Sequence, residues 1–470
     1  MSVFKTFLKN MVISVLSNVL NLIVTAATAL LIPLVLGTSI NQYGYYQIYL
    51  FYIAYIGFFH LGLCDGILLK EGGEEYCNLH KEEYAFQIRF IVVLELVIAL
   101  LITLFLVLKR VEVDYLFIGI SFGINLIVFL PRNLLAYILQ ATNRIKENSL
   151  ITMIGRSTYL VELIILCLLG VSNYKYFIIA DLLGKMLALM YAMYKCRDIL
   201  HSKPTEIRTG LRIVKNNISS GMKLMLASIS SMVITGIVQL FIQTHWSVET
   251  YGEISLTLSL TNLVLTFISA IAIVLYPTLR RVNRNTATEL YKHICSIMMP
   301  LLITSLIFCK PLQVFLLRVL PQYYRGLYYL PILFPVCVFS AKFSLLVQTY
   351  MQVFRMEKDI LAVNVVSILV TLIGASISVY VFNSLFLTVL TILLCQIFRC
   401  FYAEYVLSKR ILIIQKYGEL LEIFMVVAFI ICSINCDSVR GMIIYITLYF
   451  IYLLIRRKDS LAALEYIGRL

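Results

Sequence analysis

Six basic side chains stand inside apolar runs: Arg132, Arg156, Lys185, Lys223, Lys342 and Arg399. A lone cation at the centre of a membrane helix costs roughly 2.5–3.5 kcal/mol, so these residues are expected to face a wet cavity or a partner rather than lipid. At about 1.5 Å per helical residue, all but Lys223 lie roughly 15–20 Å from the cytoplasmic end of their helices, near mid-bilayer. Lys223 is shallower and can extend its ammonium to the interface. Cations at that depth suit an anionic ligand, and phosphate or pyrophosphate oxygens match a guanidinium bidentately. The competing reading is internal neutralisation. Asp181 and Lys185 form an i, i+4 pair on one helix, so both readings stay open for Lys185. Carboxylates singled out within the apolar runs are Asp65, Glu95, Glu162, Asp181 and Glu404. Glu162 and Asp181 are the candidates for coupling a proton or sodium ion, although pairing with Arg156 and Lys185 accounts for them as well. Asp65 and Glu404 read as boundary residues near the cytoplasmic interface.

The elements that must carry these residues are transmembrane helices. Hydrophobic residues make up 61% of the chain and charged residues 14%, and mean hydropathy is +0.92. Such a chain is solvated mostly by lipid. Fourteen apolar runs are long enough for a hydrocarbon core of about 30 Å: 11–37, 43–69, 84–108, 115–141, 149–170, 174–194, 217–243, 252–278, 289–309, 327–353, 359–382, 385–408, 418–436 and 440–455. Lipid cannot satisfy an open backbone, and the runs lack the alternation of barrel strands, so the fold class is an all-α polytopic membrane protein. With both termini cytoplasmic, 26 Lys/Arg fall on inner segments and 7 on outer ones. That bias follows the positive-inside rule, so the net charge of +14 reads as topology and not as nucleic-acid binding. The first run, preceded by Lys5 and Lys9, is expected to be a retained helix and not a cleaved signal.

The chain repeats itself weakly. Gln42-Tyr43-Gly44-Tyr45-Tyr46-Gln47-Ile48 recurs as Thr250-Tyr251-Gly252-Glu253-Ile254-Ser255-Leu256, 208 residues on. Leu139-Gln140 with Asn143-Arg144-Ile145-Lys146 recurs as Met351-Gln352 with Arg355-Met356-Glu357-Lys358, 212 residues on. A duplication of about six helices is the arrangement of alternating-access transporters. Arg132 and Lys342 are 210 apart, and Lys185 and Arg399 are 214 apart, so two cation positions are expected to be related by pseudo-symmetry. The expected organisation is an N-terminal six-helix lobe (1–198), a basic cytoplasmic linker (199–216), a C-terminal six-helix lobe (217–410) and two additional helices with a cytoplasmic tail (411–470). The first helix of each lobe lacks carboxylates and is rich in small polar residues: Ser14, Ser17, Asn18, Asn21, Thr25 and Thr28 in one, Ser219, Ser220, Ser228, Ser230, Ser231, Thr235 and Gln239 in the other. Such helices pack closely or line a hydrophilic path. The eleven cysteines show no metal spacing or disulfide framework, and Cys432 with Cys436 reads as packing. No catalytic residue, metal site or cofactor is expected.

The segment Tyr43-Gly44-Tyr45-Tyr46-Gln47-Ile48-Tyr49-Leu50-Phe51-Tyr52, followed by Gly62-Leu63-Cys64-Asp65-Gly66-Ile67 and Lys70-Glu71-Gly72-Gly73, resembles the helix 1–2 region of bacterial polysaccharide flippases of the O-antigen and capsule type. These belong to the multidrug/oligosaccharidyl-lipid/polysaccharide exporter superfamily. Pro277-Thr278-Leu279-Arg280-Arg281 is similar to the equivalent position of the second lobe. The resemblance implies two six-helix lobes in a V around a central basic cavity, with two further C-terminal helices. It also implies rocking that carries a polyprenyl-pyrophosphate-linked oligosaccharide from the cytoplasmic to the outer face of the bacterial plasma membrane, for capsule, O-antigen or exopolysaccharide biosynthesis. Implied partners are that lipid-linked glycan, membrane lipids, glycosyltransferases and a polysaccharide polymerase, with no nucleic acid.

Binding alone gives no direction to transport, because equal affinity for two states shifts neither. Direction needs an ion gradient, the membrane potential or removal of product. The chain has no Walker motif for ATP hydrolysis. A cation-coupled multidrug exporter of the same superfamily would need cavity carboxylates to hold a cationic drug. A membrane glycosyltransferase or polymerase would need a catalytic carboxylate or a large external loop, and the internal repeat argues against it.

Overall fold

Long apolar runs set off by short polar turns fold as helices, and no strand occurs among the described residues. The structure, a computed structural model, describes the backbone of residues 3–37, 39–280, 284–411, 418–435 and 438–468. Side chains are described for these except 3–11, 227–229, 231, 267–280, 284–287, 411, 418–419, 438, 464 and 467–468. The side chains of Lys5, Lys9, Ser228, Ser231 and the 277–281 motif, and residue Cys436, therefore lie outside the described residues.

The chain divides into two compact units, Met1–Ile229 and Ser230–Leu470. The first holds α1 (Val3–Leu36), α2 (Ile40–Ala54), α3 (Leu63–Glu71), α4 (Lys81–Leu108), α5 (Val113–Ala141), α6 (Ile145–Leu168), α7 (Tyr174–Lys195) and α8 (Arg197–His201). The boundary falls inside α9 (Ile207–His245), and the basic segment 199–216 is itself largely helical, shared between α8 and the first turns of α9. The second unit continues with α10 (Val248–Arg280), α11 (Arg284–Ser305), α12 (Cys309–Val319), α13 (Tyr324–Leu327), α14 (Leu330–Leu333), α15 (Val336–Ala341) and α16 (Gln348–Val353). It ends with α17 (Glu357–Ser376), α18 (Leu385–Ile411), α19 (Gly418–Asn435) and α20 (Ser438–Gly468).

Among the described residues, ten helices are long and apolar enough to cross a membrane, or up to eleven when the bent pair 40–60 and 63–71 counts as one span. The other three of the fourteen expected spans fall on α9, whose described apolar stretch is Met232–His245, on α10, and on α19, with the short stretch Leu420–Asn435. The outward faces are apolar, the reverse of a soluble helix. On α4, Leu100, Leu104 and Leu108 recur every turn at 68%, 54% and 73% exposure. Inside, α4 and α5 pack around Ile91, Leu126, Leu130 and Leu134.

The segments that echo each other in sequence end alike in the backbone. α5 ends with Asn143 in the left-handed region (φ 57), and the Arg144 N–H reaches back to the Leu139 carbonyl at 2.8 Å. α16 ends with Arg355 (φ 56), and the Met356 N–H reaches the Met351 carbonyl at 2.8 Å. These are the same left-handed helix terminator at the spacing read from the sequence. Gly170 (φ 65) and Asn383 (φ 45) form a second such pair.

The run 43–69 is not one straight helix. Leu61 (φ 53) and Gly62 (φ 84) turn left-handed, His60 Nδ1 accepts the Gly62 N–H at 3.0 Å, and the chain bends by 53° between the two arms. The second arm, α3, then lies backbone to backbone on α9. A Cβ at Gly66 would stand 2.0 Å from the Asn217 carbonyl oxygen, and one at Gly221 would stand 2.0 Å from the Gly62 oxygen. Overpacking of this kind costs about 1–3 kcal/mol. Gly66→Ala is expected to lower the thermal unfolding midpoint of the purified protein by several degrees, whereas Gly57→Ala, with nothing within 4 Å of its Cβ, leaves it unchanged.

Candidate functional site

Positions i, i+4 and i+7 of a helix share one face. On α5 that face carries Asn125, Phe129 and Arg132, with Pro131 interrupting the hydrogen-bond ladder just before the arginine. Opposite lies the Asp181–Lys185 pair of α7. The Lys185 ammonium donates to Asp181 Oδ2 at 2.6 Å and to Asn125 Oδ1 at 2.8 Å. From α2, the Tyr49 hydroxyl donates to the same Asp181 oxygen at 2.6 Å and accepts from Asn125 Nδ2 at 2.9 Å. Tyr46, one turn before Tyr49, meets the Tyr159 hydroxyl of α6 at 2.8 Å. Four helices are thus tied at one polar knot. Phe129 sits beneath two cations, its ring centroid 4.8 Å from the Arg132 guanidinium and 5.9 Å from the Lys185 ammonium.

The knot leaves positive charge over. Arg132 and Lys185 each lie within electrostatic reach of Arg156 and Asp181. Arg132 and Arg156 make no hydrogen bond or ion pair among the described residues, and Arg132 Nε is buried with no acceptor. Arg156, on α6, is exposed. Glu162 lies within reach of Asp181, and its Oε2 is also buried without a partner. Three cations therefore gather around one carboxylate, Asp181, a surplus of positive charge. An unpaired guanidinium in a membrane helix is costly unless a ligand, water or headgroup meets it.

The second unit treats its cations differently. Lys342 has no exposed surface. It opens a π-helical turn, Lys342–Val347, a local widening of the helix that is frequent at functional positions. Its ammonium stands 2.6 Å from Glu404 of α18 and 2.9 Å from Glu422 of α19. Tyr291 of α11 donates to the other Glu404 oxygen at 2.8 Å, and Arg456 of α20 lies 3.7 Å from Glu422. Two cations and two carboxylates close this group at net zero, inside a span more deeply buried than any other candidate span. Arg399, 3% exposed, donates through Nε and Nη2 to Asn364 Oδ1 at 3.1 and 2.9 Å and lies 3.7 Å from the Phe343 ring. Lys223, exposed on α9, makes no ion pair among the described residues and joins neither group.

Of the six cations singled out by depth, the structure brings Arg132, Arg156 and Lys185 together in the first unit, and seals Lys342 and Arg399 into the second. Tyr46, Tyr49, Asn125 and Phe129 escaped the sequence reading, although the i, i+4, i+7 spacing on α5 and the tyrosine-rich α2 motif held the signal. Glu422 and Arg456 escaped it because they sit at the ends of apolar runs, where charge reads as boundary. No group of metal-ligating side chains occurs among the described residues.

No protein-family model matches the chain, and no curated protein matches it. Solved structures do match. A lipid II flippase MurJ in an inward closed conformation aligns with a TM-score of 0.66 at 13% identity, covering 97% of this chain and 100% of that one. A multidrug resistance MATE family transporter of the MOP superfamily, in an inward-facing conformation, aligns with a TM-score of 0.62 at 14% identity, covering 83% of this chain and 98% of that one. The fold is that of these two proteins, as the resemblance read from the sequence implied.

Breaking a buried ion pair from one side costs about 3–5 kcal/mol because it strands the other charge. Lys342→Met is therefore expected to lower the stability of the detergent-purified protein by that amount in a chemical unfolding series. Lys342→Met combined with Glu404→Gln and Glu422→Gln is expected to recover most of the loss.

Proposed function

We propose that this chain is a flippase that moves a polyprenyl-pyrophosphate-linked oligosaccharide from the cytoplasmic to the outer face of the plasma membrane by alternating access, for cell-surface polysaccharide biosynthesis. The observation that carries the reading is the pair of unsatisfied guanidinium groups, Arg132 and Arg156, within the spans of the first unit. A pyrophosphate supplies the acceptor oxygens that both lack. Arg132 and Arg156 are the direct anion ligands. Lys185 adds a third positive charge, shared with Asp181 and oriented by Asn125 and Tyr49. Phe129 fixes the directions of Arg132 and Lys185 from below. Lys342 and Arg399 hold the second unit together, and Lys223 serves the interface.

The likeness to a protein named a lipid II flippase supports a lipid-borne cargo. The same fold also serves a multidrug resistance transporter, for which the chemistry here is less suited. A cationic drug would have to be held among the three cations gathered at Asp181, a carboxylate already taken by Lys185 and Tyr49. Glu162 and Asp181 are the residues through which an ion gradient would act, since Asp181 lies within reach of Arg132 and Lys185, and Glu162 within reach of Asp181. Glycosyltransferases upstream and a polymerase downstream are the partners that this cargo requires.

A hydrogen bond to a charged group is worth about 1.5–3 kcal/mol, so losing two is worth roughly 100-fold in affinity or more. Purified protein is expected to bind a polyprenyl pyrophosphate far better than the corresponding polyprenyl alcohol, and Arg132→Gln with Arg156→Gln is expected to remove that preference. Equal binding of the two lipids, or undiminished pyrophosphate binding by the double variant, would overturn the assignment.

A further inference from the structure

The first turns of α9 have two faces, and only one is used by the fold. Gly210 packs on the Phe86 ring, Val214 is buried, and Asn217 donates to Gln87 Oε1 at 2.9 Å while its backbone touches Gly66. These contacts fix the rotation of the helix. An arc that begins beside Val214 and runs away from these contacts holds Ile207, Leu211, Lys215, Arg208 and Arg212, in that order over about 140° at 3.6 residues per turn. All five are exposed, Ile207 at 73% and Leu211 at 47%. Lys203, also exposed, stands just ahead of the helix. Lys203, Arg208, Arg212 and Lys215 make no ion pair among the described residues, and the nearby Glu206 is exposed as well.

Topology needs only a count of basic residues; it does not need them ranked beside bare isoleucine and leucine on one arc. At the end of a membrane-crossing helix, an apolar edge running into a basic edge suits the headgroup layer, where the aliphatic side chains reach the acyl boundary and the cations meet lipid phosphates. We infer that this arc, Ile207, Leu211, Lys215, Arg208 and Arg212 with Lys203, is a binding surface for anionic phospholipid headgroups. The occupant is a lipid and not free phosphate, because free phosphate gives the exposed Ile207 and Leu211 nothing to bury against. Both units share α9, so headgroups bound here grip the helix that leads from one unit into the other. The surface is independent of the cargo site on α5, α6 and α7.

The chain has one tryptophan, Trp246, which makes a fluorescence test direct. Trp246→Phe with Ile207→Trp places the sole reporter on the arc, and Leu211→Trp gives a second reporter should the first disturb folding. In vesicles of phosphatidylcholine with a minor fraction of brominated lipid, brominated phosphatidylglycerol is expected to quench the reporter at least twofold more than brominated phosphatidylcholine at the same fraction. The preference is expected to fade in high salt and to vanish when Lys203, Arg208, Arg212 and Lys215 are all replaced by Gln. Equal quenching by the two lipids, or a preference that survives the four replacements, would overturn the inference. Addition of inorganic phosphate is expected to leave the preference intact, and its abolition by phosphate at constant ionic strength would show a site for the free anion instead.

Discussion

Desolvation of charge governs this molecule. In lipid, every buried cation must be neutralised, hydrogen-bonded or kept for something that arrives from outside. The apolar composition makes helices obligatory, since only they satisfy the backbone within one segment. It also makes each of the few polar groups inside them a position of consequence. The arrangement of charge, and not the packing of leucines against lipid, is what separates one part of the chain from another.

The two units answer the constraint in opposite ways. In the second, Lys342, Glu404, Glu422 and Arg456 close on each other, and through them α18, α19 and α20 are bound around one buried ammonium. Such a cluster adds little net stability over an apolar core, because desolvation consumes most of the Coulombic gain, yet it is intolerant of losing one member. In the first unit the cations of α5, α6 and α7 gather around a single carboxylate. Asp181 satisfies Lys185 and Tyr49, while Arg132 and Arg156 remain open. The two positions that the sequence spacing pairs, Arg132 and Lys342, stand in different surroundings. Arg132 follows a proline in an α-helix and stays unsatisfied; Lys342 opens a π turn and is saturated.

Much of this was legible in the sequence. Hydropathy gave the helices, the charge bias gave an expected orientation, and the Leu139-Gln140 and Met351-Gln352 echoes marked turns that prove to share one left-handed terminator. Mid-span depth singled out Arg132, Arg156 and Lys185, which the structure brings together, and Lys342 and Arg399, which it buries. What depth could not give was the partner of each, because pairing depends on which helix faces which. Glu422 lies one turn inside its apolar run and Arg456 just past the end of the next, where a charge reads as interfacial, yet Glu422 folds inward onto Lys342 and Arg456 onto Glu422. The break at Leu61 and Gly62 was also hidden, since one glycine within an apolar run is common and only the close approach of α9 demands that backbone.

The account turns on the cargo being a lipid-linked glycan carried across the membrane. The most direct measurement is the sidedness of that intermediate in oriented vesicles from cells with and without the gene, read with an impermeant glycan-modifying enzyme. The account predicts that the intermediate accumulates on the cytoplasmic face without the protein and moves outward when the gene is restored. An intermediate whose sidedness never changes would contradict it.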